Sequence, residues 1–194
     1  MKPPLDEPSA HEHFSSGCFN RTWDLMEKPD RTELEDEEML LAAHASLWHW
    51  MQRPDYAPEK RAIGHWQLSR VSCLTGRGEA ALAHARLSLE AARDLNAITA
   101  TAIASDMPPA ATDTIPAGVR EDAPENGVDG EEPAFLLGYA HEAVARAHRL
   151  LGHAEEAEFH RAEAWRLADE VIDGEARERL LADLDSLRDA PAAA

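Results

Sequence analysis

The chain has 194 residues, with 37 Asp and Glu against 19 Lys and Arg, and its formal net charge at pH 7 is -18. This length is enough for one ordinary domain core and too short for two. The acidic balance argues against nucleic acid as a partner, because surfaces that bind phosphate backbones carry basic patches. The N-terminus lacks the apolar run of a signal peptide, and no apolar stretch approaches the ~18 residues of a membrane span. We therefore expect a cytoplasmic protein with no membrane contact.

Two helices are predicted in the N-terminal part of the chain. Residues 1–12 are polar and Pro-rich and are expected to form a mobile tail. Residues 13–27 have apolar side chains at helical spacing. Thr32 and Glu35 form the pattern of a capping box, which predicts that a second helix begins there and continues over residues 33–51. The predicted apolar seam of this second helix comprises Leu40, Ala43, Leu47 and Trp50.

A pair of helices joined by a turn is predicted from Arg61 to Leu95. Apolar and small residues recur at helical spacing on both sides of Gly76. A second copy of this pattern returns 76 residues later, over residues 140–171, with Gly152 at the position of Gly76. Other equivalent pairs are His65 with His141, Ala81 with Ala157, and Ser88 with Ala164. One pair of helices cannot cover its own apolar face, so the two copies are expected to pack on neighbouring helices.

The segment between the two copies has no helical periodicity. It is rich in Pro and acidic residues, and this composition predicts a disordered insertion. A last helix with leucines on one face is predicted from about residue 174. The expected organisation is one domain with a tail at 1–12, N-terminal helices and the first helix pair at 13–95, the insertion at 96–132, and the second pair with a capping helix at 133–189.

The two copies resemble tetratricopeptide repeats (TPR), in which paired helices carry small residues where they approach each other. The matching positions are His65, Leu68-Ser69, Ser72, Gly76 and Ala81 in the first copy, and His141, Val144-Ala145, His148, Gly152 and Ala157 in the second. The combination of AHASLWHW and WQLSRV is also similar to a bacterial family to which no activity is assigned. The repeat resemblance implies an all-α bundle or short solenoid of about seven antiparallel helices with TPR-like hairpins.

By this resemblance, the first helix of each copy would line a ligand-binding groove. Arg70 and Arg146 occupy equivalent positions there, beside Trp66 and Tyr139, and Arg149 follows one turn later. Guanidinium groups beside aromatic rings suit a carboxylate, such as an acidic peptide or a chain terminus. The leading hypothesis is therefore a non-enzymatic interaction module that binds a peptide or partner protein.

Two other interpretations compete with this hypothesis. Glu142 stands four residues before Arg146, so the two can form an ordinary ion pair on a helix surface. The functional alternative is a metal-binding or small-molecule-binding protein, or an enzyme. Its candidate pocket would be lined by Trp66 and Tyr139 together with His44, Trp48, His65 and His141.

Metal and catalytic motifs are absent from the sequence. Equivalent histidines on packed helices have backbones about 8–10 Å or more apart, too far to converge readily on one zinc ion. The chain contains no HExxH, CxxC or GxSxG motif and no phosphate-binding Gly loop. We therefore expect no metal site, no cofactor and no catalytic residue, while the question of enzymatic activity stays open.

Overall fold

The computed structural model describes residues 6–104 and 132–189, and the regular secondary structure in these two ranges is entirely helical. This confirms the expected all-α class. Across the same ranges, no helix combines the length and the apolar character needed to cross a membrane. The helices are α1 (Glu7–Glu27), α2 (Glu33–Met51), α3 (Pro58–Leu74), α4 (Gly78–Ala104), α5 (Pro133–Leu150), α6 (Ala154–Ala168) and α7 (Gly174–Asp189).

Helix α1 begins six residues earlier than the apolar spacing predicts. The backbone N–H of Ser9 donates a hydrogen bond to the Asp6 carboxylate at 2.9 Å, and Pro8 lies in the first turn. An acidic N-cap followed by Pro is a common helix start, because it satisfies a free backbone N–H and Pro needs none. The prediction of a mobile tail is therefore wrong for residues 7–12, which are helical.

Helix α2 begins with the predicted capping box. The backbone N–H of Glu35 donates to the Thr32 hydroxyl at 3.3 Å, and the backbone N–H of Thr32 donates to the Glu35 carboxylate at 2.9 Å. These reciprocal bonds satisfy two backbone donors that the first turn leaves open. The local pattern of two side chains was enough to locate this helix start.

Helix α4 continues to Ala104, nine residues beyond the end predicted at Leu95. The Thr99 and Thr101 hydroxyls donate to the carbonyls of Leu95 and Ala97, at 3.1 and 2.8 Å. Residues 96–101 of this extension are mostly exposed, so they lack the apolar periodicity by which a buried helix is recognised. The predicted insertion boundary at residue 96 is therefore wrong, and the rest of the insertion lies outside the described residues.

The turns after α3 and α5 have the same geometry. Gly76 and Gly152 adopt positive φ angles of 71° and 78°, which glycine reaches without the steric cost of a Cβ. In each turn the backbone N–H after the glycine bonds a carbonyl five residues back, from Arg77 to Ser72 and from His153 to His148. This pattern is a Schellman motif. The 76-residue spacing thus identifies two structurally equivalent helix ends.

Helix α5 is the central helix of the described fold. It contacts α3, α4, α6 and α7, and 12 of its 18 residues are buried, which is possible because many of them are alanine or glycine. At Gly138, an added Cβ would lie 2.6 Å from a Leu180 methyl carbon, so α7 packs closely at this position. Helix α5 consequently carries side chains that meet α3 on one side and α7 on another.

Candidate functional site

A buried cluster of charged residues links α3, α5 and α7. Glu142 of α5 is fully buried, and its Oε1 accepts hydrogen bonds from Arg70 Nη1 at 3.2 Å and from Arg146 Nε at 2.6 Å. Asp183 of α7 accepts a hydrogen bond from Arg70 Nη2 at 3.0 Å and another from the Tyr139 hydroxyl at 3.2 Å. We call these five residues the arginine cluster. It joins three helices that are far apart in the sequence.

The environment of the arginine cluster raises the pKa of two of its members, Arg70 and Tyr139. Burial opposes the charge of Arg70, but Glu142 and Asp183 more than offset this, and its pKa lies above the ordinary value for arginine. Burial, followed by the charge of Asp183, raises the pKa of Tyr139 well above its usual range, so its hydroxyl remains a donor. Burial also raises the pKa of the nearby Cys73 thiol to about 11. The thiol form is a poor nucleophile, so Cys73 does not suit covalent catalysis here.

Glu142 lies in the interior and not on a helix surface. Its side chain has no exposed area, and its Oε2 has no hydrogen-bond partner among the described protein atoms. The interpretation of Glu142 and Arg146 as an ordinary surface pair is therefore wrong. The apolar helices packed around α5 exclude water from this carboxylate, which leaves the two arginines as its main compensation.

The three arginines predicted from the sequence line one cavity. Arg70, Arg146 and Arg149 surround a volume of about 200 Å³, whose walls also include Cys73, Leu74, Leu150 and Leu187. A neighbouring cavity of about 150 Å³ shares Arg149 and Leu187 with the first and is also lined by Arg161 and Glu158. We call the two cavities together the arginine groove. The structure thus brings together Arg70 and Arg146, which occupy equivalent positions in the two copies, and places Arg149 beside them.

The predicted aromatic lining of this groove is wrong. Trp66 and Tyr139 are 4% and 5% exposed, and their rings meet edge to face with centroids 5.5 Å apart. Both lie in the core between α3 and α5, since burial of large aromatic surfaces is strongly favourable. Tyr139 reaches the arginine cluster only through its hydroxyl, and Trp66 packs against Trp23 on its other side.

The alternative pocket of histidine and tryptophan does not assemble. Trp48 is exposed, and its ring contacts His11. His44 lies beside the ring of His84, with centroids 5.6 Å apart. The other two histidines of the predicted pocket each pair with a histidine on the following helix, His65 with His84 and His141 with His160. Trp48, His65 and His141 therefore belong to separate clusters.

The partners of these two histidines, His84 and His160, were not predicted from the sequence. His65 Nδ1 lies 3.1 Å from His84 Nδ1, and His141 Nδ1 lies 3.0 Å from His160 Nδ1. Burial, followed by the neighbouring imidazole, lowers the pKa of both His65 and His141 to about 4. The signal was present, because His84 and His160 are also 76 residues apart. We call these the repeat-related pairs.

Within residues 6–104 and 132–189, no group of three or more His, Cys, Asp or Glu side chains has a geometry that could hold a metal ion. The arginine groove and the histidine pairs are the features of these residues from which a function can be argued. Comparisons of the chain with protein-family models, with curated proteins and with solved structures found no match.

Proposed function

We propose that the protein is a non-enzymatic interaction module that binds the carboxylate end of a peptide or partner protein in the arginine groove. The observation that carries the proposal is that Arg70, Arg146 and Arg149 line one cavity in a chain of net charge -18. A local group of guanidinium forks on an otherwise acidic protein favours an anionic ligand, and planar carboxylates match the fork geometry best.

A tetratricopeptide-like arrangement belongs to the same proposal. The Schellman turns at Gly76 and Gly152 each reverse the chain within a few residues, which supports antiparallel pairing of α3 with α4 and of α5 with α6. The four helices pack on one another, and α3 also contacts α5. Stacked helix pairs of this kind leave a groove along the first helix of each pair, where the arginines lie.

The walls of the groove favour a ligand that combines a carboxylate with an aliphatic group. Leu74, Leu150 and Leu187 supply apolar surface next to the arginines. The larger cavity, about 200 Å³, is smaller than the ~300–1,000 Å³ of pockets that hold drug-sized ligands. It therefore suits one terminal residue with an aliphatic side chain, with the rest of the peptide extending over the surface.

Arg149 provides the cleanest test, because it lines both cavities and is outside the arginine cluster. Labelled peptides that end in Val, Leu or Ile would be compared with their amidated forms by fluorescence polarisation. A charge-assisted hydrogen bond contributes about 1.5–3 kcal/mol, so Arg149→Ala is expected to weaken binding by tenfold or more. Arg149→Lys keeps the positive charge but lacks the guanidinium fork, so its affinity for the peptides is expected to lie between those of the parent protein and of Arg149→Ala. Arg166→Ala is the control, because Arg166 is exposed on α6 and pairs with Glu163 of the same helix and with Glu170 just after it.

Changes at Arg70 and Arg146 are less informative about binding. Both hold the buried Glu142 carboxylate, so their removal alters the fold as well as the groove. The proposal fails if amidation of the peptide terminus leaves the affinity unchanged, or if Arg149→Ala binds the peptides as the parent protein does. The proposal is also contradicted if none of the peptides with a free terminal carboxylate binds.

A further inference from the structure

Eight of the ten histidines, all within the described residues, form four pairs whose Nδ1 atoms face each other at 2.9–3.1 Å. The pairs are His11 with His49, His65 with His84, His141 with His160, and His148 with His153. Two Nδ1 atoms at this separation cannot both carry a proton without a clash of donors. Each pair must therefore share one proton or share a cation.

The repeat-related pairs occupy the same place in both copies. His65 and His84 join α3 to α4, and His141 and His160 join α5 to α6. The residue that follows the first histidine is Trp66 in the first copy and Glu142 in the second. The histidine pair is thus retained where its immediate surroundings are not, which points to a role for the pair itself beyond packing.

The distance within each repeat-related pair matches two ligands of one metal ion. Imidazole nitrogens bind divalent transition metals at about 2.0–2.1 Å, so adjacent ligands about 90° apart are separated by about 3 Å. The Nδ1 atoms of these pairs are 3.1 and 3.0 Å apart. The separation of the two nitrogens therefore already suits one ion.

The second-helix member of each pair is partly exposed to solvent, whereas His141 is buried. His84 and His160 are half-buried, and His44, whose ring lies beside His84, is exposed. In the second copy the ring of His148 stacks on that of His160 with centroids 6.0 Å apart. A third imidazole therefore borders each pair.

We propose that each repeat-related pair binds one divalent transition-metal ion through its two Nδ1 atoms, with water completing the coordination. Nitrogen donors favour copper(II) over nickel(II) and zinc(II) when the geometry is not restrictive, and two ligands with open positions impose little geometry. Since no third group of the described residues converges on either position, the sites are of moderate affinity. This inference is independent of the arginine groove.

The test uses untagged full-length protein at pH 7.5, titrated with copper(II) and followed by calorimetry and electron paramagnetic resonance. The parent is expected to show nitrogen hyperfine structure from bound imidazole. The variants His84→Gln and His160→Gln are each expected to bind one equivalent fewer, and the double variant two fewer. His13→Gln is the control, because His13 is exposed and belongs to none of the four pairs.

Two outcomes would overturn the proposal. One is a parent protein without imidazole hyperfine structure in its copper spectrum, a measurement that does not depend on whether a variant folds. The other is a double variant, folded by circular dichroism, that keeps the stoichiometry of the parent. Arg149→Ala is expected to bind the metal normally, so failure of the metal sites and failure of the peptide groove can be told apart.

Discussion

Removal of the Glu142 carboxylate is expected to destabilise the fold strongly. The side chain is fully buried between two arginines whose own side chains are 23% and 20% exposed, Arg70 and Arg146. Glu142→Ala leaves both guanidinium groups with Asp183 as their remaining acidic partner in the cluster. Breaking a buried ion pair by removing one partner costs about 3–5 kcal/mol. We expect a loss of about 3 kcal/mol, at the lower end of this range, because both arginines keep Asp183 as a partner and are partly exposed to solvent.

The assay is urea unfolding followed by tryptophan fluorescence and by circular dichroism. A loss of about 3 kcal/mol lowers the urea midpoint without changing the slope, and it lowers Tm by about 6–12 °C for a chain of this size. Glu142→Gln keeps an oxygen acceptor but removes the charge, and it is expected to lose less stability. Glu163→Ala is the matched control, since its partner Arg166 is 57% exposed and exposed pairs contribute little.

The reasoning is refuted if the free energy of unfolding of Glu142→Ala lies within about 0.5 kcal/mol of that of the parent protein. This is the range expected for the control. That result would mean that the two arginines relax into solvent at no cost. The cluster would then be a consequence of the packing of α3, α5 and α7 and not one of its causes. A double-mutant cycle with Arg70→Ala would measure the coupling between the two side chains directly.

Three further predictions concern packing, the turns and pH. Ala81→Leu is expected to cost about 1–3 kcal/mol in urea unfolding because Ala81 is fully buried, whereas Ala157→Leu, beside the smaller cavity, should cost less than about 1 kcal/mol. Gly76→Ala is expected to cost about 1–2 kcal/mol because of the positive φ angle. His65 and His141 have pKa values of about 4 in the fold against 6.5 ordinarily, so the unfolded chain binds more protons between these values. This contribution to stability is complete above about pH 6.5 and is lost as pH falls toward 4, by about 1 kcal/mol per histidine at pH 5 after allowance for solvent screening. Tm should therefore fall from pH 7.5 to pH 5. Replacement of both histidines by Gln should reduce this dependence without abolishing it, because burial also lowers the pKa of His84 and His160.

The helices could be predicted where a local pattern determines them. The capping box of Thr32 and Glu35 marked the start of α2, and the 76-residue spacing identified the equivalent turns at Gly76 and Gly152. The start of α1 at Glu7 and the end of α4 at Ala104 were missed. Residues 7–12 and 96–101 are largely exposed, so neither stretch shows the apolar face on which a sequence-based assignment depends.

The candidate site was only partly predictable, because the acidic partners of Arg70 come from other helices. The equivalence of the two copies was enough to select Arg70 and Arg146 as neighbours in space. Asp183 lies 113 residues from Arg70, and the leucines of α7 do not indicate which helix it packs on. The burial of Trp66 likewise depends on how α3 packs against α5. Such facts follow from tertiary packing and not from local pattern.

The arginine cluster also explains how two similar copies come to form one unsymmetrical unit. Arg146 meets an acid in its own helix, because Glu142 precedes it by one turn. Arg70 has Trp66 at the equivalent position, so it has no acid one turn before it and bonds instead to Glu142 and Asp183 on α5 and α7. Where the second copy has Glu142, the first copy has Trp66. The arginine of the first copy therefore bonds to the second copy instead of to an acid of its own helix. Because both arginines share Glu142, they are held together at the junction of the two copies, and in the proposed binding mode a ligand would contact both.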